Sequence, residues 1–321
     1  MKYRDYAPAL KYGAKIMPED IAGMIGLPYV GDIFYVDPTA GSDTANSGTS
    51  QDDALATVAA AYAKCTSGNQ DVVIIAPTGG TGRTTETAAI VWAKRFTHLI
   101  GSAAPTCYDP RAGVDFSSAV VSPCFTVSEN GCIFKNLTFG TTSDINVLVS
   151  VTGSYNYFGN VHFAGPANAT AYADTARRSL VLTGASENLF EDCIIGVETV
   201  ASTAAGANME QTGTCRRNTY RHCTFPVYDT AGDSYFIKAD TGNCTEMSTV
   251  WEDCIFTNPL LIGSTTVMAV AMKTGLATGG IYYLINPKFY GVTAVASVLT
   301  HVMTFQAAPD TAGPGFMVVA G

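Results

Sequence analysis

The sequence is short of charge. Lys, Arg, Asp and Glu make up 14% of its 321 residues, against ~25% in ordinary soluble domains. The 18 basic residues are outnumbered by 27 acidic ones, for a net charge of −9. A chain with no basic excess lacks the footprint that holds a phosphate backbone, so no nucleic-acid partner is expected. A hydrophobic content of 47% excludes a disordered chain. A long unbroken apolar run is missing too. The charge-free stretch from Cys254 to Met272 is interrupted by Thr257, Asn258, Pro259, Gly263 and Ser264, which reads as strands and not as a membrane helix, so no membrane partner is expected. Met1-Lys2-Tyr3-Arg4-Asp5-Tyr6 offers no apolar core for an export signal. No CxxC pair occurs among the nine cysteines, so the thiols are expected to be reduced and buried, with no metal bound.

Local signatures of catalysis are equally scarce. His98, His162, His222 and His301 are scattered, with no HExxH or GxSxG and no cysteine near a histidine in a nucleophile pattern. The strand-like Val72-Val73-Ile74-Ile75 leads into a Gly-rich loop, but a phosphate loop needs Gly at Pro77 and Lys at Arg83. The Asp-rich stretch around Asp37, Asp43, Asp52 and Asp53 fails as a calcium loop. A register starting at Asp43 puts Ala45 at position three and Ala54 at position twelve. No cofactor is expected. The triplets beginning at Asn136, Asn168 and Asn243 read as chance glycosylation motifs, and Arg177-Arg178 as a solvated or subunit-facing pair.

What the chain has instead is a repeat. Phe134-Lys135-Asn136-Leu137-Thr138-Phe139 is echoed by Phe158–Phe163, Phe190–Ile195, Tyr220–Phe225 and Trp251–Phe256, with a degenerate sixth copy at Leu284–Phe289. The pattern is aromatic, variable, Asn/Asp/His, small apolar, variable, large apolar. Its third positions (136, 160, 192, 222, 253) lie 24, 32, 30 and 31 residues apart. Other β-rich runs, Val147–Val151, Leu180–Thr183 and Tyr235–Ala239, separate the copies. One unit of strand, turn, strand and loop cannot bury its own apolar face, so the units must stack as a solenoid. Stacking predicts an interior ladder of Phe139, Phe163, Ile195, Phe225 and Phe256, with Cys193, Cys223 and Cys254 beside it. It also predicts opposite charges in register at Glu191, Arg221 and Glu252, and a polar corner of Asn136, Asn160, Asp192, His222 and Asp253. Ahead of the repeats, Ser50 and Asp53 have capping-box spacing, and Leu55, Val58, Ala59 and Tyr62 lie on one helical stripe. These predict one short helix over 53–65.

Phe34-Tyr35-Val36-Asp37-Pro38 through Gly41-Ser42-Asp43, then Ser47-Gly48-Thr49, Ala54-Leu55-Ala56-Thr57 and His98-Leu99-Ile100-Gly101, resemble the entry of right-handed parallel β-helix proteins of the pectate-lyase-like superfamily. The combination with a tyrosine-containing arm and an apolar C-terminal segment is similar to β-helix structural proteins of tailed bacteriophages. The resemblance implies an all-β parallel β-helix with a short N-terminal capping helix. It also implies a homotrimer on the virion, serving as a capsid decoration (cement) protein on the major capsid protein of the phage head. The alternatives are a tail fibre, tailspike or head fibre binding host surface glycan, or a polysaccharide lyase or glycosidase.

On this reading residues 1–30 form a docking arm, with Tyr3, Arg4, Tyr6, Lys11 and Tyr12 as its contacts. Residues 31–290 form the β-helix, and 291–321 an apolar segment packed on a subunit or partner. No catalytic residue is expected. Were the chain an enzyme, the acids in register would be Asp192 with Asp253 and Glu191 with Glu252. Two coils apart is roughly 10 Å, near the ~6.5–9.5 Å of inverting glycosidases. The presence of Arg221 between the glutamates, and the corner position of the aspartates, favour structural roles.

Overall fold

The computed structural model describes residues 22–23, 25–27, 29–106, 108–117, 121–239, 248–259, 266–275, 280–300 and 302–305. The docking-arm residues Tyr3, Arg4, Tyr6, Lys11 and Tyr12 lie outside them, as do His301, Asn243 and two of the nine cysteines.

Every strand pairing between the described elements is parallel, and the chain winds as a β-helix with three faces. The first face runs from Ile33–Val36 through Val72–Ile75 and His98–Gly101 to Tyr282–Ile285 and Val302–Phe305. The second carries Arg83–Glu86, Gly113–Phe116, Ile194–Ile195, Thr224–Pro226, Ile255–Thr257 and Lys288–Tyr290. The long strands Ile133–Thr141 and Tyr157–Pro166 cross from the first face to the second and weld them into one sheet of sixteen strands. An eight-stranded sheet, from Ile90–Trp92 to Val292–Ala296, closes the third side.

The bend between the first two faces is made at the polar corner. Asn136, Asn160, Asp192, His222, Asp253 and Asn286 all have φ between 49° and 57°. Asn and Asp tolerate this left-handed conformation because their short side chains bond locally, so the column reflects backbone geometry first. The side chains then bond up the stack. Asn160 Nδ2 donates to Asn136 Oδ1 at 2.9 Å, and Asn286 Nδ2 to Asp253 Oδ1 at 2.6 Å.

The interior columns stand as their spacing predicts. Phe134, Phe158, Phe190, Tyr220 and Trp251 are in register and stacked, with ring centroids 4.9, 4.6, 4.8 and 3.9 Å apart. Phe225, Phe256 and Phe289 make a second stack, so the sixth copy belongs to the coil. The seven described cysteines are buried, and none is joined to another in a disulfide. Burial pushes the Cys65 and Cys124 thiols up to about 12, so both stay protonated.

A second ladder escaped sequence reading. Asn156, Asn188 and Asn218 are buried at successive turns. The Oδ1 of each accepts from a backbone N–H one coil earlier: Cys132 to Asn156 at 2.8 Å, Asn156 to Asn188 at 2.9 Å, Asn188 to Asn218 at 3.0 Å. Its signal was an Asn two residues before Phe158, Phe190 and Tyr220. Asn188→Ala is expected to cost about 2–3 kcal/mol, because it orphans the buried Asn156 N–H. Urea unfolding measures this, and a loss below ~0.5 kcal/mol would show the ladder to be dispensable.

Three expectations need correction. The helix is Val58–Lys64, not 53–65, and Ser50 does not cap it. Thr57 is the N-cap, accepting from Ala60 N, while Asp43 accepts from Ala56 N and Thr57 N. Tyr62 stacks on Trp92 at 4.0 Å, so the helix covers the first end of the core. The boundary at 290 falls inside the coil, since Val292–Ala296 and Val302–Phe305 pair in register with the preceding turn. Arg177 and Arg178 are buried, not solvated. Arg178 Nε donates to Glu210 at 2.7 Å, and the Arg177 guanidinium lies 4.1 Å from the Tyr172 ring centre.

Candidate functional site

The acids singled out from the repeat stand in two columns at the first face and its corner. Arg221 donates to both Glu191 (3.3 Å) and Glu252 (2.8 Å) on the outside of the first face. Tyr157 Oη donates to Glu191 as well, at 2.9 Å. Asp192 and Asp253 sit in the exposed corner column, with His222 between them at 3.5 and 3.8 Å. The charge alternation is therefore a surface ladder, as the register implied.

The structure gathers a different set of residues on the second face, where it opens a cleft of about 500 Å³. The floor is the outer surface of the parallel strands, with Arg83 and Asp115 projecting from adjacent coils and His162 from the second coil beyond Asp115. One wall is the segment Tyr108, Asp109 and Arg111, which rises before the strand Gly113–Phe116. The other is Gly196, Val197, Glu198 and Thr199, with Pro226. The Gly-rich loop rejected as a phosphate cradle serves a different purpose. It is a turn that delivers Arg83 to the floor, and Gly82 (φ 76°) passes so close to Arg111 O that a Cβ there would stand 2.7 Å from it.

Arg83 is the hub of the cleft. Its Nη1 donates to Asp115 Oδ1 at 3.1 Å and its Nη2 to Asp109 Oδ1. The two aspartates are driven apart in acidity. The imidazole of His162, and next the charge of Arg83, hold the Asp109 carboxyl down at about 2 against the cost of desolvation. Burial raises the Asp115 carboxyl despite Arg83 beside it. His162 is 7% exposed. Its Nε2 lies 3.0 Å from the Gly196 carbonyl, to which it donates. Its Nδ1 is 3.8 Å from Asp109 Oδ1 and makes no hydrogen bond.

The wall beyond Gly196 is held from beneath. Asn208 Nδ2 donates to the carbonyls of Ile195 (3.0 Å) and Pro226 (2.7 Å), and Arg177 Nη1 donates to Asn208 Oδ1 at 3.3 Å. Gly196 has φ 115°, and a Cβ there would lie 2.2 Å from Asn208 Nδ2. Sequence reasoning missed the whole cleft except for Arg83 and His162, which it noted without a role. Among the described residues no cluster of three or more His, Cys, Asp or Glu has the arrangement of a metal site.

Fold and cleft together define a right-handed parallel β-helix with a charged trough on one parallel face. No family model matches the chain, and no curated protein matches its sequence. Solved structures do match it in fold. A pectin methylesterase in complex with a hexasaccharide shares 13% identity at a TM-score of 0.51, over 82% of this chain and 80% of that one. Pectin methylesterase PemA from Erwinia chrysanthemi also shares 13% identity at a TM-score of 0.51, over 88% of this chain and 91% of that one.

Proposed function

We propose that the chain is a glycan-binding β-helix protein and that the cleft on its second face is the binding site. The observation that carries this reading is the trough built around His162. It is lined by Arg, Asp and His side chains and flanked by Tyr108. Charged donors and acceptors on an open face suit sugar hydroxyls, which both donate and accept. The fold is shared with a protein solved in complex with a hexasaccharide, which supports the reading by analogy only. Retention of fluorescent capsule or lipopolysaccharide oligosaccharides by the wild-type chain, with at least tenfold weaker retention by His162→Ala, is the expected result. Equal retention by the variant would remove the cleft from the reading.

Catalysis on the bound glycan is a second reading, favoured by the divergence of the two aspartates. One carboxyl held toward its protonated form beside one held ionised is the arrangement that acid–base chemistry requires. Asp115→Asn is then expected to lower release of reducing ends or acyl groups by ~10²-fold or more while binding persists. Unchanged turnover would sink the catalytic role, and Asp192→Asn and Asp253→Asn serve as controls expected to have no effect.

As to setting, the virion rests on the sequence resemblance, and neither solved structure named above is a virion protein. A head fibre or tailspike contacting host glycan is the setting that also uses the cleft. The decoration role, with its homotrimer and capsid contact, depends on residues 1–30. Sedimentation of the purified chain and immunogold labelling of intact particles test it. A micromolar monomer absent from virions would end it.

A further inference from the structure

The corner where the chain turns from the third face into the first is a second column of left-handed residues. Gln70, Phe96, Gly131, Tyr155, Glu187, Arg217 and Ser248 each stand two residues before paired positions of the first face, and their φ values lie between 51° and 71°. The polar corner meets the same demand with Asn, Asp and His. Here only Gly131 adopts the conformation without cost, and bulky side chains in it are outliers. Strain of this kind collects at binding and catalytic positions. The aromatic members are also open to solvent: Tyr155 is 64% exposed and Phe96 39%. A Cβ on Gly131 would run into the Phe96 ring, so that ring lies across the Gly131 backbone. Beside them on the first face, the partly exposed Tyr157 ring lies over Gly159, where a Cβ would stand 2.7 Å from its Cε1, and its Oη donates to Glu191 at 2.9 Å. Ion pairs border the three rings: Arg217 with Glu187 along the corner, Arg221 with Glu191 and Glu252 on the face. Each guanidinium carries five N–H groups and points two at these acids, so donors remain for a ligand.

Size and border decide what such a patch can hold. Three rings of ~150–250 Å² each, none fully exposed, fall short of the ~800 Å² that a stable protein interface takes from each partner. A protein would also bury the bordering ion pairs, at a desolvation cost. A saccharide suits both parts. The C–H face of a pyranose stacks on an aromatic ring, and its hydroxyls donate to carboxylates and accept from guanidiniums. We infer that Phe96, Tyr155 and Tyr157 form a second saccharide-binding platform, on the corner away from the second-face cleft. It shares the ligand chemistry proposed for the cleft but none of its residues, so either site can stand without the other.

The test uses the full chain with 3-fluorotyrosine in place of tyrosine, the Tyr155 fluorine signal being assigned by its absence from Tyr155→Phe. The probes are mannohexaose, cellohexaose and the capsule and lipopolysaccharide oligosaccharides. At least one is expected to shift the Tyr155 signal saturably. By calorimetry, Tyr155→Ala and Phe96→Ala are each expected to weaken that saccharide at least fivefold, while Tyr155→Phe, which keeps the ring, binds within twofold of wild type. His162→Ala is expected to leave the Tyr155 shift in place, which separates the platform from the cleft. The fluorine shift is read in a chain with no substitution, so a variant that fails to fold leaves it intact. If every saccharide that binds leaves the Tyr155 signal unmoved, or binds the two alanine variants as tightly as wild type, the platform is overturned and the cleft stands. Binding of none overturns both. A wild-type oligomer that Tyr155→Ala dissociates, with no saccharide response, would make the patch a contact between copies and overturn the platform as well.

Discussion

Phe190→Ala is expected to destabilise the coil by about 3–5 kcal/mol, the usual cost of emptying a phenylalanine-sized space in a packed interior. Phe190 is fully buried and sits between Phe158 and Tyr220, with ring centroids 4.6 and 4.8 Å away. It also meets Phe163 edge-on at 6.1 Å. Each aromatic pair adds ~0.5–1.5 kcal/mol beyond area burial, so the loss should reach the upper part of that range. The backbone on either side is pinned by pairing with both neighbouring coils, which limits collapse around the gap. A solenoid holds together through nearest-neighbour interfaces. The change should therefore separate unfolding of the turns before Phe190 from unfolding of those after it. Urea titration followed by fluorescence is the measurement, with Trp92 reporting on the first half and Trp251 on the second. Phe190→Leu, which keeps most of the volume, should cost less than half as much. Coincident transitions with a loss under ~1 kcal/mol would contradict the continuous-stack account.

The second large effect concerns acid. His98 is fully buried on the first face. Its Nε2 lies 2.8 Å from Gln70 Oε1, to which it donates, and its Nδ1 accepts from Ile133 N at 3.1 Å. Burial lowers its pKa to about 4 from the ordinary 6.5, against an opposing pull from Asp71. A depressed histidine favours the folded state in its neutral form. Stability is thus complete above pH 6.5, where neither state is protonated, and falls as pH drops from 6.5 toward 4, where the unfolded chain takes up the proton first. The loss is roughly 3 kcal/mol across that window. His98→Gln should flatten the decline between pH 6.5 and 4 even though it costs stability at pH 7. An unchanged slope in the variant would assign the acid sensitivity to another group.

The architecture was legible because a repeat states the same constraint several times. Aromatic, left-handed corner and large apolar positions recur in one order, and each column has a physical reason to be in register. The helix start was misplaced because Ser50 and Asp53 match the spacing of a cap, whereas Asp53 bonds Ser47 and Asp43 reaches across to Thr57. The buried arginine pair was misread for a similar reason. Adjacent cations are usually solvated, and nothing local shows that Glu210 and Tyr172 fold over them. The cleft lay beyond reach because its parts are not repeated. Arg83, the pair Asp109 and Asp115, and His162 belong to three separate turns and meet only when the turns stack.

That stacking also decides how the molecule carries load. In a parallel β-helix the backbone hydrogen bonds run along the long axis. The first face has ten strands in order, a rod of roughly 43 Å at ~4.8 Å per step. Tension applied at the two ends reaches each coil boundary in series, so the weakest boundary sets the rupture force and coils peel singly. Force applied across the rod is shared by every coil beside it. Such a body resists crushing better than stretching, and the second-face cleft, whose floor spans several coils, keeps its shape under a sideways push.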